Sequence, residues 1–194
     1  MKGRESGMPD ENYWDSFFDA DCILTKLDCA KSHTENVVEF GSGYGTFTLP
    51  LAIKTTGTVY AFDIEHDLIA QLQNKAFESG LSNINIQTRD FIAEGTGLPD
   101  QFVDHAMIYN ILHIENPILL LREAFRVLKP SGAVSIIHWK YDPSTPRGPS
   151  MDIRPRAEQC RAWAEAAGFD FLRDQDLSTC CPYHYGLLLT RPNA

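Results

Sequence analysis

The stretch from Val37 to Phe47, VVEFGSGYGTF, decides how the chain folds. A short, mostly apolar run ends in glycines at alternate positions, Gly41, Gly43 and Gly45, and an amphipathic segment follows. This order predicts a buried strand, a tight turn and the start of a helix. Because glycine accepts positive φ and has no Cβ, a ligand can lie directly against the main chain of such a turn.

A second apolar run, Val59–Asp63, ends in a carboxylate 20 positions after Gly43. In doubly wound α/β folds, an acid at the end of the second strand hydrogen-bonds the hydroxyls of a bound ribose. A dinucleotide fingerprint, G-x-G-x-x-G, would need its third glycine at position 46, where this chain has Thr46. The spacing therefore indicates a nucleoside site and argues against a dinucleotide.

Glu39 and the G-x-G-x-G turn resemble motif I of the class I S-adenosylmethionine (SAM) dependent methyltransferases. The segment LREAFRVLKPSG, residues 121–132, is also similar to a segment of that family. Ser131 replaces the first of two usual glycines, a difference that concerns a turn rather than the chemistry. The resemblance extends from Val37 to Arg191 and is to the small type 11 methyltransferases, which include C-methyltransferases of quinone biosynthesis.

This resemblance implies a Rossmann-like α/β fold, with a seven-stranded, mostly parallel sheet of order 3-2-1-4-5-7-6 and helices on both faces. It also implies SAM as methyl donor, S-adenosyl-L-homocysteine (SAH) as product and a small-molecule acceptor. Asp63 would bind the ribose, and Asp90 with the backbone of Phe91 the adenine, although Asp90 could also simply form a turn. The implied cofactor residues are Glu39, Gly41, Gly43, Gly45, Asp63, Ile64, Asp90, Phe91 and Asn110.

Residues 1–30 are expected to form an N-terminal helical cap on a SAM-binding domain of residues 31–194, within a single domain overall. Tyr13 and Trp14 either anchor a cap helix or form aromatic walls over the cofactor. Because N-terminal helices of the resembling family often cover the active site, the second interpretation is favoured for Tyr13. The remaining pattern predicts strands near 59–63, 85–89, 102–110, 133–139, 169–177 and 183–190, and helices near 46–54, 65–79, 119–128 and 156–167.

The acceptor side is predicted at the end of the fourth strand, where ligands gather in open α/β sheets. His113 is the first candidate for a general base, because the pKa range of histidine suits the task. A lone histidine at a strand end is also often structural. Alignment of the acceptor and the methyl group can by itself lower the activation barrier by ~7–11 kcal/mol in favourable cases, so a general base is optional. Weaker candidates are His138, Tyr183 and His184.

The proline-rich segment 141–155 predicts a lid over the ligand. Arg147 and Arg154 would then contact the substrate. The alternative is a solvated loop whose charges pair with one another.

Composition narrows the class of protein. A net charge of −9 without a basic run argues against a nucleic-acid partner. No apolar stretch approaches the length of a membrane span or a signal peptide, and five cysteines without a C-x-x-C pair fit a reducing cytoplasm better than a disulfide framework or a zinc site. No metal is expected, since no pair of acids surrounds the fourth strand.

Three questions stay open at this point. The protein could be a monomer or a homodimer. It could also be a SAM-binding module without catalysis, or an enzyme that transfers an aminopropyl group.

Overall fold

The computed structural model describes residues 8–193, and a seven-stranded sheet organises them. The strand order is β3-β2-β1-β4-β5-β7-β6, as predicted. Strands β1 to β5 pair in parallel, whereas β7 is antiparallel to both β5 and β6. The strands are β1 (Val37–Phe40), β2 (Val59–Asp63), β3 (Ile84–Thr88), β4 (Val103–Tyr109), β5 (Leu128–Trp139), β6 (Asp170–Gln175) and β7 (His184–Thr190).

Within residues 8–193, six helices connect and cover these strands. They are α1 (Glu11–Asp15), α2 (Ala20–Lys26), α3 (Thr48–Lys54), α4 (His66–Glu78), α5 (Pro117–Val127) and α6 (Ala157–Ala166). Helices α3 to α6 lie within a few residues of their predicted positions, and α1 and α2 lie in the N-terminal segment where helices were expected. Across residues 8–193, no helix combines the length and the apolar character needed to cross a bilayer.

Two hydrophobic clusters lie on opposite faces of the sheet. Successive side chains of a strand point to opposite faces, and β1 follows this rule. Val38 and Phe40 belong to the cluster that contains residues of α5 and α6, whereas Val37 belongs to the cluster formed with α2 and α3. All four residues of β1 are buried, as expected for a central parallel strand that is covered on both faces.

The start of β5 differs from the prediction. The segment 129–132, expected to be a turn before the strand, lies inside β5, which begins at Leu128. Ser131 takes a left-handed conformation with φ +62°, at the position where the resembling family has glycine. Its backbone N–H donates to the carbonyl of Arg191, and its hydroxyl donates to Asn193 Oδ1 at 2.6 Å. These bonds offset the strain of a side chain in that conformation.

The cysteine pattern favours a reducing cytoplasm over a disulfide framework, but the structure contains one disulfide that this pattern did not predict. Cys22 of α2 is bonded to Cys180, in the turn before β7, and the two are 158 residues apart in sequence. A pair so distant has no spacing signature. The backbone N–H of Asp19 also donates to the carbonyl of Cys180, at 2.9 Å, so the N-terminal helices are joined to this turn by two kinds of bond.

Candidate active site

A cavity of about 500 Å³ opens where the parallel strands end. Gly41 follows β1, Asp63 ends β2, Asp90 follows β3 and Asn110 follows β4, and all four residues line it. Because parallel strands present their carboxyl ends at one edge, residues scattered through the sequence meet here. The cavity lies at the edge of the sheet predicted from the sequence, and its volume is that of a site for a small ligand.

The glycine turn forms one wall of the cavity with bare main chain. Gly41 and Gly43 have φ of +80° and +52°. A Cβ on Gly41 would lie 2.9 Å from Ile111 Cδ1, and one on Gly43 would lie 3.3 Å from Met8 Cε. A side chain at either position would be strained by the backbone conformation, and the end of Ile111 or Met8 would have to shift to make room for it.

Gly45 differs from the other two glycines, because it does not line the cavity. A Cβ there would lie 2.3 Å from Leu72 Cδ1, so Gly45 allows α4 to pack closely against the turn. Its predicted contact with the cofactor is therefore replaced by a packing role.

Asp63 contacts the glycine turn directly. The backbone N–H of Gly43 donates to Asp63 Oδ2 at 2.8 Å, and the N–H of Glu65 donates to Oδ1 at 3.0 Å. Burial raises the pKa of Asp63, and these backbone donors act in the opposite direction. The two features that the sequence linked across 20 positions are thus adjacent in space, with the carboxylate held in a fixed orientation.

Asp90 and Phe91, which follow β3, also line the cavity, as does Ile64, which follows Asp63. Asp90 Oδ1 accepts from the backbone N–H groups of Ile92 and Ala93, at 3.2 and 3.0 Å, so this carboxylate does order a turn. Phe91 packs edge-on against Phe40, with ring centroids 5.3 Å apart. Asp90 can order this turn and still contact a ligand, because it also lines the cavity.

Two polar side chains in the cavity wall lack partners. Both amide atoms of Asn110 and the hydroxyl of Ser42 are buried and make no hydrogen bond with any described residue. Asn110 also has φ +57°, and its backbone N–H donates to the carbonyl of Ile137 at 2.7 Å. Buried polar atoms are normally paired, so these positions are available to a polar ligand.

Glu39 does not line the cavity, contrary to its predicted role. It shares a face of β1 with Val37, and its Oε2 accepts from the hydroxyl of Thr48 on α3. Burial raises the pKa of Glu39 to about 8. Glu39 thus supports the glycine turn from behind, by joining β1 to the helix that follows the turn.

His113 lines the cavity and contacts a second histidine. Its Nδ1 lies 3.3 Å from Nε2 of His138, which is fully buried. Burial and the neighbouring His113 hold the pKa of His138 well below its usual range. His138 therefore stays neutral and can accept a hydrogen bond from Nδ1–H of His113. In that tautomer, the free lone pair of the His113 ring lies on its Nε2.

His184 and Tyr183 do not line the cavity. His184 is buried against Trp139, with ring centroids 4.1 Å apart, and burial lowers its pKa to about 3. Tyr183 lies at the surface, near Phe17. His184 therefore packs in the interior and Tyr183 faces solvent, and neither lies at the cavity where a substrate contact was predicted.

The loop after β5 brings Arg147 and its neighbours to the cavity, as predicted, but not Arg154. Arg154 is buried and donates to the carbonyl of Pro149 from Nε and Nη2, at 2.9 and 2.7 Å. Its Nη1 donates to Thr145 Oγ1 at 2.7 Å. Arg154 is therefore the internal brace of the loop that carries Arg147.

Trp14, rather than Tyr13, is the aromatic residue of α1 that lines the cavity. Neighbours on a helix point about 100° apart, so only one of them can face the ligand. Tyr13 is 46% exposed and packs edge-on against Phe17.

The sequence matches the family model of a methyltransferase domain over residues 38–136. The chain belongs to this family. A SAM-dependent methyltransferase from Aquifex aeolicus superposes with a TM-score of 0.80, at 23% identity over 94% of both chains. A Sulfolobus solfataricus protein assigned to the type 11 methyltransferases gives 0.65, at 25% identity over 87% of this chain and 90% of its own.

Two further relatives differ from these methyltransferases in the activity named for them or in length. The [4+2]-cyclase SpnF has the same fold, with a TM-score of 0.77 and 19% identity over 100% of this chain and 87% of its own. A 37.1 kDa protein from transposon Tn4556 of Streptomyces fradiae is 27% identical over 79% of this chain and 46% of its own length. The chain thus spans about half the length of that curated relative.

A methyltransferase domain of this fold implies SAM as cofactor, and the cavity residues fit it. The bare turn at Gly41 and Gly43 has room for a ligand against main chain, Asp63 offers a fixed acceptor, and Asn110 and Ser42 have unpaired polar atoms. Sequence reasoning missed several wall residues of the methyltransferase domain. They are Ser42, Phe47, Arg89, Tyr109 and Trp139. Arg89, Tyr109 and Trp139 stand at the end of a parallel strand or just after it, and this position in the sequence could have identified them as wall residues.

Proposed function

We propose that the protein transfers the methyl group of SAM to a small-molecule acceptor and releases SAH. The observation that carries this proposal is the 2.8 Å contact between the Gly43 backbone and Asp63 at the wall of a ligand-sized cavity. Asp63 would accept from the ribose hydroxyls, Asp90 and Phe91 would hold the adenine, and the turn at Gly41 would lie along the methionyl part.

The chain's contribution to the reaction is mainly alignment and the exclusion of water. When bound, SAM supplies an electrophilic methyl group on a positively charged sulfur. Trp14 and Met8 from the N-terminal segment and Arg147 from the loop after β5 line the cavity and would shield the reacting atoms. Such positioning is worth ~7–11 kcal/mol in favourable intramolecular reactions.

His113 is proposed as the general base for an acceptor that loses a proton. When bound, SAM would supply the methyl group to the acceptor atom, and Nε2 of His113 would take the proton that this atom loses. His138 acts through His113 as a positioning residue, because an acceptor at His138 Nε2 would hold His113 in the tautomer whose lone pair lies on its own Nε2. His138→Gln keeps an acceptor there and should retain more activity than His138→Phe.

A binding and turnover assay tests the proposed function. SAM and SAH should raise the melting temperature, whereas NAD should not, and incubation with SAM and a cell extract should give a product heavier by one methyl group in mass spectrometry. Stabilisation by decarboxylated SAM instead would indicate aminopropyl transfer. SAM binding without a methylated product from any extract would favour a non-methylating role, as the shared fold of SpnF illustrates. Stabilisation by NAD alone would overturn the proposal.

A further inference from the structure

The disulfide between Cys22 and Cys180 fixes the joint between α1 and α2. Asp19, the residue before α2, is bonded to both cysteines. Its Oδ1 accepts from the backbone N–H of Cys22 at 3.0 Å, and its own N–H donates to the carbonyl of Cys180 at 2.9 Å. The path by which the chain passes from α1 into α2 is therefore set by this disulfide and the two hydrogen bonds beside it.

The two residues that precede this joint support the cavity wall from behind. Phe17 packs edge-on against Trp139, with ring centroids 5.2 Å apart. Phe18 packs against Phe47 at 5.3 Å and against Trp14 at 4.9 Å. Trp139, Phe47 and Trp14 all line the cavity. The position of the joint is thus transmitted to three walls of the cofactor cavity through ring contacts.

The two N-terminal helices are anchored differently. None of the five residues of α1 is buried, whereas α2 has fully buried side chains in the core. Polar contacts near the surface join α1 to its neighbours: Asp15 accepts from the hydroxyl of Thr46 at 2.7 Å, and Glu11 pairs with Lys75. Exposed contacts of this kind contribute little to stability. Loss of the disulfide would therefore leave α2 in place and loosen the segment that carries Trp14.

The five cysteines differ in their access to an external thiol. Cys22 is half-buried and Cys180 is buried, so a reagent in solution reaches the disulfide at the sulfur of Cys22. Cys29, Cys160 and Cys181 are buried, and burial raises the pKa of each thiol to about 12. At neutral pH these three stay protonated and do not attack the disulfide, because the thiolate is the nucleophile in exchange.

From this arrangement we infer, on the basis of the proposed function, that the disulfide Cys22–Cys180 is a redox-controlled latch on the cofactor cavity. A dithiol reductant attacks Cys22 Sγ, the bond to Cys180 breaks, and Cys180 Sγ keeps the electron pair and takes a proton. The second thiol of the reductant then displaces Cys22 as a thiol, and the reductant leaves as a disulfide. The oxidised protein holds Trp14 at the cavity, whereas the reduced protein has to order this segment when SAM or SAH binds and so binds them more weakly.

Calorimetric titration with SAH tests the latch. The wild type is treated with oxidised glutathione, part of it is then reduced with dithiothreitol, and alkylation with mass spectrometry establishes the state of Cys22 and Cys180. Reduction should weaken SAH binding at least about fivefold, and renewed oxidation should restore it. The matched control carries both Cys22→Ser and Cys180→Ser. It should bind SAH like the reduced wild type and should not respond to dithiothreitol.

Hydrogen exchange of the protein without ligand gives a second measurement, which does not depend on SAH. Reduction should speed exchange of the backbone amides in residues 8–19 at least about fivefold, because their local opening becomes more frequent. The amides of β1, β4 and β5 should exchange at an unchanged rate.

The outcomes distinguish the latch from the proposed function. After confirmed reduction, an unchanged SAH affinity or unchanged exchange in residues 8–19 would each overturn the latch. Unfolding of the whole chain on reduction would also overturn it, as would failure of oxidised glutathione to form the bond. Failure of the oxidised wild type to bind SAH would instead overturn the proposed function, and hydrogen exchange would still show whether the disulfide restrains residues 8–19.

Discussion

Substitution of Asp63 by asparagine isolates the carboxylate that the proposed cofactor site depends on. Asp63 is 8% exposed, and both of its oxygens already accept backbone N–H groups, from Gly43 and Glu65. An asparagine has one oxygen and one NH₂ group, so the NH₂ would face a backbone donor and the ribose would lose a charged acceptor. A hydrogen bond to a charged group contributes about 1.5–3 kcal/mol, which corresponds to roughly 10- to 100-fold in affinity.

The assay is calorimetric titration with SAH, which binds without turnover. Asp67→Asn is the matched control, because Asp67 is an exposed carboxylate in the first turn of α4 and does not line the cavity. Urea unfolding first establishes that the Asp63→Asn protein is folded. If the folded variant then bound SAH within twofold of the wild type, Asp63 would not be the ribose partner and the reasoning would fail.

Three further substitutions test the parts that support the site. Gly45→Ala should lower the free energy of unfolding by roughly 1–3 kcal/mol. The control is Gly80→Ala, whose Cβ would meet nothing within 4 Å and which should lower the free energy of unfolding by less. Equal decreases for the two variants in urea unfolding would contradict the packing role of Gly45. Because the pKa of Glu39 is raised from 4.5 to about 8, ionisation of this buried group destabilises the fold as pH rises through that window. The stability of the wild type relative to Glu39→Gln should therefore fall between pH 5 and pH 8 and level off above; a constant difference would refute it. Cys180→Ala should cost about 2–5 kcal/mol, and dithiothreitol should destabilise the wild type but not this variant.

The fold, and the contact between the glycine turn and Asp63 at the cavity, were predictable because their signals are local. The turn at Gly41 and Gly43 and the acid at Asp63 each end an apolar strand, and parallel pairing alone then brings the strand ends together.

The acceptor end was less predictable, because it depends on tertiary packing. Arg147 and Arg154 occupy one loop with similar surroundings in sequence, yet one lines the cavity and the other braces the loop through backbone carbonyls. Tyr13 and Trp14 are adjacent, and only the docking of α1 decides which of them faces the ligand. The bond between Cys22 and Cys180 joins distant segments and leaves no trace in spacing.

A crystal structure of the SAH complex tests the central claim most directly. The account predicts electron density for the ribose with both hydroxyls within hydrogen-bond distance of the Asp63 carboxylate, the adenine beside Phe91, and the homocysteine part along Gly41. Density for SAH away from the end of β2, or a ribose bound by residues other than Asp63, would contradict it.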